Sequence, residues 1–496
     1  MDNNIRIENY IMNNMTEDIC IVDDTGRYSY LQMKNEIYAV QKIIRSYGMM
    51  PGDKIIILSP NGKNAIVSIF ATLNINCVAA PVDIQTPMEL VVDMIDIIDA
   101  RMIIYSGDDV KISELREKCN NIVFLKIEDT NCNDDIEFVN QSDLILSKTS
   151  SDPAVILFTS GTTGKMKAVV HSHENIIVNV NAVDDYMNIN KNDIFYVLKT
   201  YVHCSSLISE IFLAFSKGAS VCLYKPKVSL STIIRRIKNE KATILGINPT
   251  FLSLMSQLNK MSDGLNSVRL VATSGAVLDE NLVASSREVF RNAIIINVYG
   301  LTEAGPRISA ERPNGEYKCG SVGKPIKGVE VKIDIEQSGA DSIGEIIVKS
   351  KSIMLGYYND DVSTKAKIQD GWLRTGDLGY IDEEGYLFVI GRKDEMIIRG
   401  SHNVAPARVE SVINKIEGVL TNVVFGVDDK INGQNVVCAI IAESKIDTSV
   451  IIEECKKHLY EYECPQNIVF WDSIPKTIGG KISRKLASEK YVSRIL

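Results

Sequence analysis

The segment Leu157–Lys167, LFTSGTTGKMK, concentrates the residue types that hold a polyphosphate. Gly161 and Gly164 let the backbone approach a ligand closely or adopt positive φ. Thr159, Ser160, Thr162 and Thr163 turn hydroxyls and amides toward anionic oxygens, and Lys165 and Lys167 add positive charge. A plain surface turn is the alternative, since Gly, Ser and Thr also suit turns. Two residues separate the glycines, whereas a Walker loop needs four before Gly-Lys-Ser/Thr. Two carboxylates elsewhere have matching chemistry. Glu303 follows Thr302 just after a glycine turn and suits a hard cation such as Mg²⁺; the alternative is an exposed loop glutamate. Asp377, in a Thr-Gly-Asp turn, could accept two hydrogen bonds from a ribose diol, or simply cap its own backbone.

The elements that must position these residues alternate. Lys54–Leu58, Met102–Tyr105, Ala154–Thr159, Thr243–Gly246 and Ile294–Val298 are β-branched runs, and Tyr30–Tyr47 and Leu230–Glu240 are amphipathic segments between them. Strands alternating with helices predict an α/β fold of stacked, mainly parallel sheets. From about Gly320 the strands shorten and glycine turns separate them, as in a β-rich subdomain. A boundary near Gly391–Asp394 divides the chain into a large domain, 1–393, and a small α+β domain, 394–496. In the latter, Pro406–Ile416 and Ser449–Leu459 read as helices, and Val423–Val427 and Val436–Ile441 as strands.

Bulk properties exclude several classes. A chain of 496 residues needs more than one core, and 45% hydrophobic with 24% charged residues is ordinary for a soluble protein. A net charge of -9 argues against a nucleic-acid partner. The ten cysteines form no CxxC pair, which points to reduced thiols in a cytoplasmic protein and away from a zinc site. The N-terminus lacks a signal-peptide pattern. The apolar run Ala65–Val82 is interrupted by Ser68, Asn74 and Asn76, so it reads as a helix entering a buried strand and not as a membrane span.

Four further segments are NVYGLTE (Asn297–Glu303), RTGDL (Arg374–Leu378), GRKDEMIIRG (Gly391–Gly400) and PKTIGGKISR (Pro475–Arg484). With the glycine loop, in this order and spacing, they make the chain resemble the adenylate-forming superfamily, from about Tyr28 to Lys485. That family contains acyl- and aryl-CoA synthetases, peptide-synthetase adenylation domains and luciferases. The resemblance implies a two-step ligase using ATP and Mg²⁺. In it, Glu303 holds the metal with Thr302 beside it in the catalytic set, Lys481 bridges carboxylate and α-phosphate, and Asp377 with Arg392 holds the ribose. Tyr299 stacks on adenine, with Gly275, Ala276, Asn297 and Gly300 around the nucleotide. Asp394 is the hinge about which the mobile small domain swings to present Gly400, Ser401 and His402 to the thiol acceptor.

His203 matches the histidine that flanks the carboxylate pocket in acyl- and aryl-CoA synthetases, whereas α-amino-acid domains carry an aspartate near this place. No Asp or Glu occurs between Tyr196 and Ser209, which favours an acid without an α-ammonium group. Tyr201, Ser205, Asn248, Ser274 and Leu301 would line a pocket for an aryl or a short- to medium-chain acyl acid. His171 and His173 read as structural, with the next helix starting at Ser172 or His173. The chain departs from the family pattern at Met166 and Ala168, and at Ser401, His402 and Arg408 near the acceptor face. Coenzyme A is the expected acceptor, and the phosphopantetheine arm of an acyl or peptidyl carrier protein is the alternative. A non-catalytic nucleotide-binding relic and an unrelated ATP hydrolase are the rival classes. A monomer or a homodimer is expected.

Overall fold

The apolar run Ala65–Val82 separates into a helix, Lys63–Asn74, and a strand, Val78–Asp83, with a left-handed turn residue between them, Asn76 at φ 63°. The helix is buried along almost its whole length and the strand is central in a sheet, so both elements are apolar on every side. This is a computed structural model. It describes residues 5–14, 16–107, 109–119, 121–129, 149–160, 166–225, 228–257, 265–275, 278, 280–313, 318–335, 343–400, 402–430, 432–444, 446–476 and 482–495.

The chain divides into two compact units, one of residues 1–331, 348–374 and 383–387, the other of residues 332–347, 375–382 and 388–496. In the first, two large sheets are described. One runs Gly356–Tyr357, Met166–Ser172, Pro153–Ser160, Val78–Asp83, Lys54–Ser59, Ala100–Tyr105, Val123–Lys126 in spatial order. The other runs Lys324–Pro325, Ser309–Ala310, Ile294–Tyr299, Leu270–Ser274, Ile244–Ile247, Ile194–Val197, Ser220–Cys222, Ile19–Val22, Arg27–Ser29. Their central strands are parallel, each joined to the next through a helix, as the alternating sequence demands. The protein is therefore an α/β structure.

One apolar core joins residues of both sheets, such as Ile57, Ala79, Phe195 and Leu270, through the helices Tyr30–Ser46, Lys63–Asn74 and His173–Met187. Phe70 meets Phe212 edge-on at 5.7 Å, and Tyr30 places its hydroxyl 2.7 Å from the Ala219 carbonyl. Helix His173–Met187 starts at an N-cap, Ser172, whose hydroxyl and Asn175 form a reciprocal capping box. That cap fixes where the strand carrying His171 ends.

In the second unit, Val419–Asp429 and Gly433–Ala442 form a long antiparallel pair flanked by Ile397–Arg399, His402–Val404 and Asn467–Phe470. Helices Pro406–Ile413 and Thr448–His458 cover one face and Arg484–Ile495 the other. Among the described residues no helix is long and apolar enough to cross a membrane, and the described cysteines are free.

Candidate active site

The segments on either side of the glycine loop are paired strands. Strands Pro153–Ser160 and Met166–Ser172 are antiparallel, with Thr159 opposite Lys167 and Ser160 opposite Met166. Gly161, Thr162, Thr163, Gly164 and Lys165 lie outside the described residues. The Lys167 ammonium stands 4.5 Å from the centre of the Tyr357 ring, and the Tyr357 hydroxyl donates to Glu303 Oε1 at 2.9 Å. Lys167, Tyr357 and Glu303 thus form one row, cation to aromatic to carboxylate.

Glu303 lies in a short 3₁₀ turn, Thr302–Ala304, whose backbone is held at three points. His171 Nε2 donates to the Thr302 carbonyl at 2.8 Å, Met354 N to the Glu303 carbonyl at 2.9 Å and the Ser352 hydroxyl to the Ala304 carbonyl at 2.9 Å. A carbonyl only accepts, so Nε2 carries the proton of a neutral imidazole. Burial lowers the His171 pKa to about 4, which keeps the ring in that form near neutral pH. Just before the turn, a Cβ on Gly300 would lie 1.8 Å from the Pro306 carbonyl oxygen and 3.0 Å from Arg307 Cα. Only glycine lets the chain double back there.

Other residues expected at the nucleotide are distributed as follows. Tyr299 ends its strand half-buried. Asn297 is buried one turn of the pleat earlier; its amide donates to the Ser321 carbonyl at 3.1 Å and its backbone N–H to Glu311 Oε2 at 2.7 Å. Gly275 adopts φ 98° at the end of Leu270–Ser274, and Ala276 is outside the described residues. On the acyl side, His203 is exposed at the start of helix Cys204–Ser206, with Ser205 and Leu301 half-buried nearby in sequence to the site. Ser274 accepts from Lys199 Nζ at 3.1 Å. Asn248 spends its side-chain oxygen capping the next helix, accepting from Phe251 N at 2.7 Å. Tyr201 is fully buried and gives its hydroxyl to the Ile57 and Val82 carbonyls, both at 2.9 Å, so it braces the two sheets.

Sequence reasoning missed three charged groups. The window without acidic residues, Tyr196–Ser209, ends one position before Glu210. Glu210 is 4% exposed within a π-helix, Leu207–Phe212, and burial raises its pKa to about 7 despite the opposing charges of Lys199 and Arg307. Arg307 is 5% exposed and follows the Gly-Pro that ends the Glu303 turn. Lys199 lines a cavity of about 270 Å³ with Gly246, Asn248 and Phe251. The charge itself was visible in the sequence, but its burial depends on a π-helix that leaves no local pattern.

In the second unit, Arg392 Nη1 donates to Asp377 Oδ1 at 3.1 Å and to the Thr375 carbonyl at 3.2 Å, and its Nε donates to Asp394 Oδ1 at 3.2 Å. Arg392 thus ties the Thr-Gly-Asp turn to the 3₁₀ turn Lys393–Glu395. Gly400 has φ 60°, and Ser401 is outside the described residues. His402 is exposed and stacks on Tyr462 at 4.1 Å, and Tyr462 stacks on Tyr460 at 5.4 Å. Arg408 lies 5.8 Å from the centre of the Tyr460 ring. Lys481 is outside the described residues, but its flanks are anchored. Lys476 bridges to Ile482, Ser483 N donates to the Pro475 carbonyl at 3.0 Å, and Arg484 pairs with Glu395 at 2.5 Å and Glu410 at 2.7 Å.

The family model for AMP-binding enzymes matches residues 9–358, and that for the AMP-binding enzyme C-terminal domain matches residues 408–481. The chain is 26% identical to a 2-succinylbenzoate–CoA ligase of Bacillus licheniformis, covering 94% of this chain and 95% of that one. It is 32% identical to an indoleacetate–CoA ligase of Aromatoleum aromaticum over 67% of this chain and 66% of that one. An ATP-bound MatB from Rhodopseudomonas palustris shares the fold, with a TM-score of 0.88 over 98% of both chains at 23% identity. This protein belongs to the AMP-binding enzyme family.

Proposed function

We propose that this chain is an AMP-forming acid–thiol ligase acting in the cytoplasm. A substrate carboxylate attacks the α-phosphorus of ATP, pyrophosphate leaves, and the acyl group then passes from acyl-AMP to the thiol of coenzyme A. The observation that carries this reading is the row Lys167–Tyr357–Glu303, which joins the base of the glycine loop to the carboxylate of the YGLTE turn. CoA ligases among the full-length relatives support the reaction class.

In this reading the glycine loop binds the phosphates, and Tyr299 and Gly275 border the adenine. His203 flanks the substrate carboxylate, and Lys481 steadies charge that develops between carboxylate and α-phosphate. Glu303 fits Mg²⁺, because Tyr357 takes one of its oxygens and leaves the other as a hard donor. Among the described residues no cluster of three metal-binding side chains occurs, and Mg²⁺ characteristically takes one carboxylate together with substrate phosphates. When bound, Mg²⁺ would neutralise phosphate charge.

Asp377 and Arg392 would hold the ribose. Replacing Arg392 by alanine removes two charge-assisted bonds that orient Asp377 and Asp394, so the KM for ATP should rise about 10-fold. ATP–pyrophosphate exchange measures this; an unchanged KM contradicts the assignment. Asp394 would be the hinge that exchanges Lys481 for the Gly400–His402 face. Asp394→Pro should spare adenylation and slow thioester formation about 100-fold or more, because proline locks φ where the chain must rotate. Equal losses in both half-reactions, followed by single-turnover kinetics, would remove Asp394 from that role. The exposed rings of His402 and Tyr460, stacked on the half-buried Tyr462 between them, support with Arg408 an acceptor that carries an aromatic base and phosphates, as coenzyme A does.

A further inference from the structure

Behind the Thr302–Glu303 turn lies a set of buried polar groups that the reaction as proposed does not use. Both carboxylate oxygens of Glu210, Arg307 Nε, and the hydroxyls of Ser206 and Ser209 have no hydrogen-bond partner among the described residues, and the Tyr186 hydroxyl faces the Arg307 guanidinium. All belong to the first unit. They come from helix Cys204–Ser206, from the π-helix that continues it, from helix His173–Met187 and from the segment after Gly305, which pack together in the main core. Glu210 and Arg307 feel each other's charge without closing a hydrogen bond, and a guanidinium cannot shed its charge when buried. A site with so many unpaired groups is built for an occupant.

Its location follows from the glycines. A Cβ on Gly246 would lie 2.4 Å from Glu210 Oε1, so the glycine is what admits the carboxylate, and Gly246 also lines the cavity shared with Lys199. At the other end, Arg307 Cα lies against Gly300, and the Cys204 thiol, which feels both Arg307 and Glu303, is 3.9 Å from the Thr302 carbonyl. The polar groups therefore extend from the cavity to the turn where the substrate carboxylate would react. The π-helix contributes here too. Its extra residue per turn shifts the side chains by ~100°, and Leu207, Ile208, Ile211 and Phe212 still reach the apolar core while Glu210 faces the polar groups.

The sign of the charge selects among occupants. Arg307 and Lys199 are cations and Glu210 supplies at most one negative charge; the other carboxylate felt here, Glu303, accepts from Tyr357 and, in the ligase reading, turns to Mg²⁺, so the chamber keeps a positive excess. A carboxylate would neutralise it; an ammonium group would add to the excess. Resting on the ligase reading above, we infer that the acid activated by this enzyme carries a second carboxylate, which Arg307 receives in this chamber with Lys199 and Glu210 beside it. Glu210 can then accept a proton and donate it in a hydrogen bond to the bound carboxylate, a role that its pKa of about 7 permits.

The test is ATP–pyrophosphate exchange by the full chain with chain-matched pairs: malonate and propionate, succinate and butyrate, glutarate and valerate, together with the α-amino acids. One diacid should exceed its matched monoacid by about 100-fold or more in kcat/KM, since a site built for a polar group rejects the analogue lacking it. Arg307→Met should abolish that preference and Arg307→Lys should restore part of it, with ATP affinity confirming that each variant folds. The wild-type comparison decides even if the variants do not fold. Monoacids equal to or better than diacids, or an amino acid as the best substrate, would overturn the inference and leave the ligase reading intact. Absence of exchange with every acid, despite bound ATP, would overturn both.

Discussion

Lys481→Ala is expected to slow acyl-adenylate formation about 100- to 1000-fold, the usual cost of removing one donor aimed at developing charge. Transfer from a supplied acyl-adenylate to coenzyme A should change less than about 5-fold, because the lysine would have left the site by then. The described flanks of the loop are held independently of residue 481. The anchors are the Lys476–Ile482 bridge, the Ser483–Pro475 hydrogen bond and the two carboxylates on Arg484. Single-turnover measurement of each half-reaction separates the effects. Equal losses in both would mean that Lys481 acts structurally, and no loss in the first would remove it from the chemistry.

Gly300→Ala should be nearly as damaging for a different reason. The new methyl group would meet a backbone carbonyl at 1.8 Å, and neither Pro306 nor Arg307 can yield as a flexible side chain would. The Tyr299–Arg307 segment must shift, carrying Glu303 and Thr302 with it. Overpacking of this kind costs about 1–3 kcal/mol of stability. A displacement of about 1 Å at a reacting centre lowers turnover about 100-fold. Denaturant unfolding and initial rates of pyrophosphate release check the two effects. Wild-type turnover in this variant would show that the turn does not position the reacting groups.

Much of the fold was legible because its signals are local. The helix-to-strand transition within Ala65–Val82, the strand entering the glycine loop and the Ser172 cap follow from apolar runs, turn residues and capping chemistry over a few positions, whereas the returning strand Met166–Ser172 was not read from the sequence. Family membership was legible through five spaced segments. What stayed hidden depends on contacts far apart in the sequence. Tyr201 reads as a pocket residue until its hydroxyl is found on Ile57 and Val82. Asn248 lines a cavity, but its side-chain oxygen also caps the following helix, a contact the sequence does not announce. His171 reads as structural, as a buried neutral histidine should, but what it supports is the carbonyl of Thr302. Glu210 and Arg307 are ordinary in sequence. Only burial by a π-helix and a reversed chain at Gly300 make them notable.

The central claim is that acid activation by AMP transfer is coupled to thiol acylation. The most direct test is to follow ATP, AMP, pyrophosphate and acyl-CoA together in the presence of the preferred acid, with and without coenzyme A. The account predicts AMP and pyrophosphate in equal amounts, with sustained turnover only when coenzyme A is present and one acyl-CoA formed per AMP. Formation of ADP, AMP release that does not depend on the acid, or a single burst that coenzyme A cannot relieve would contradict it.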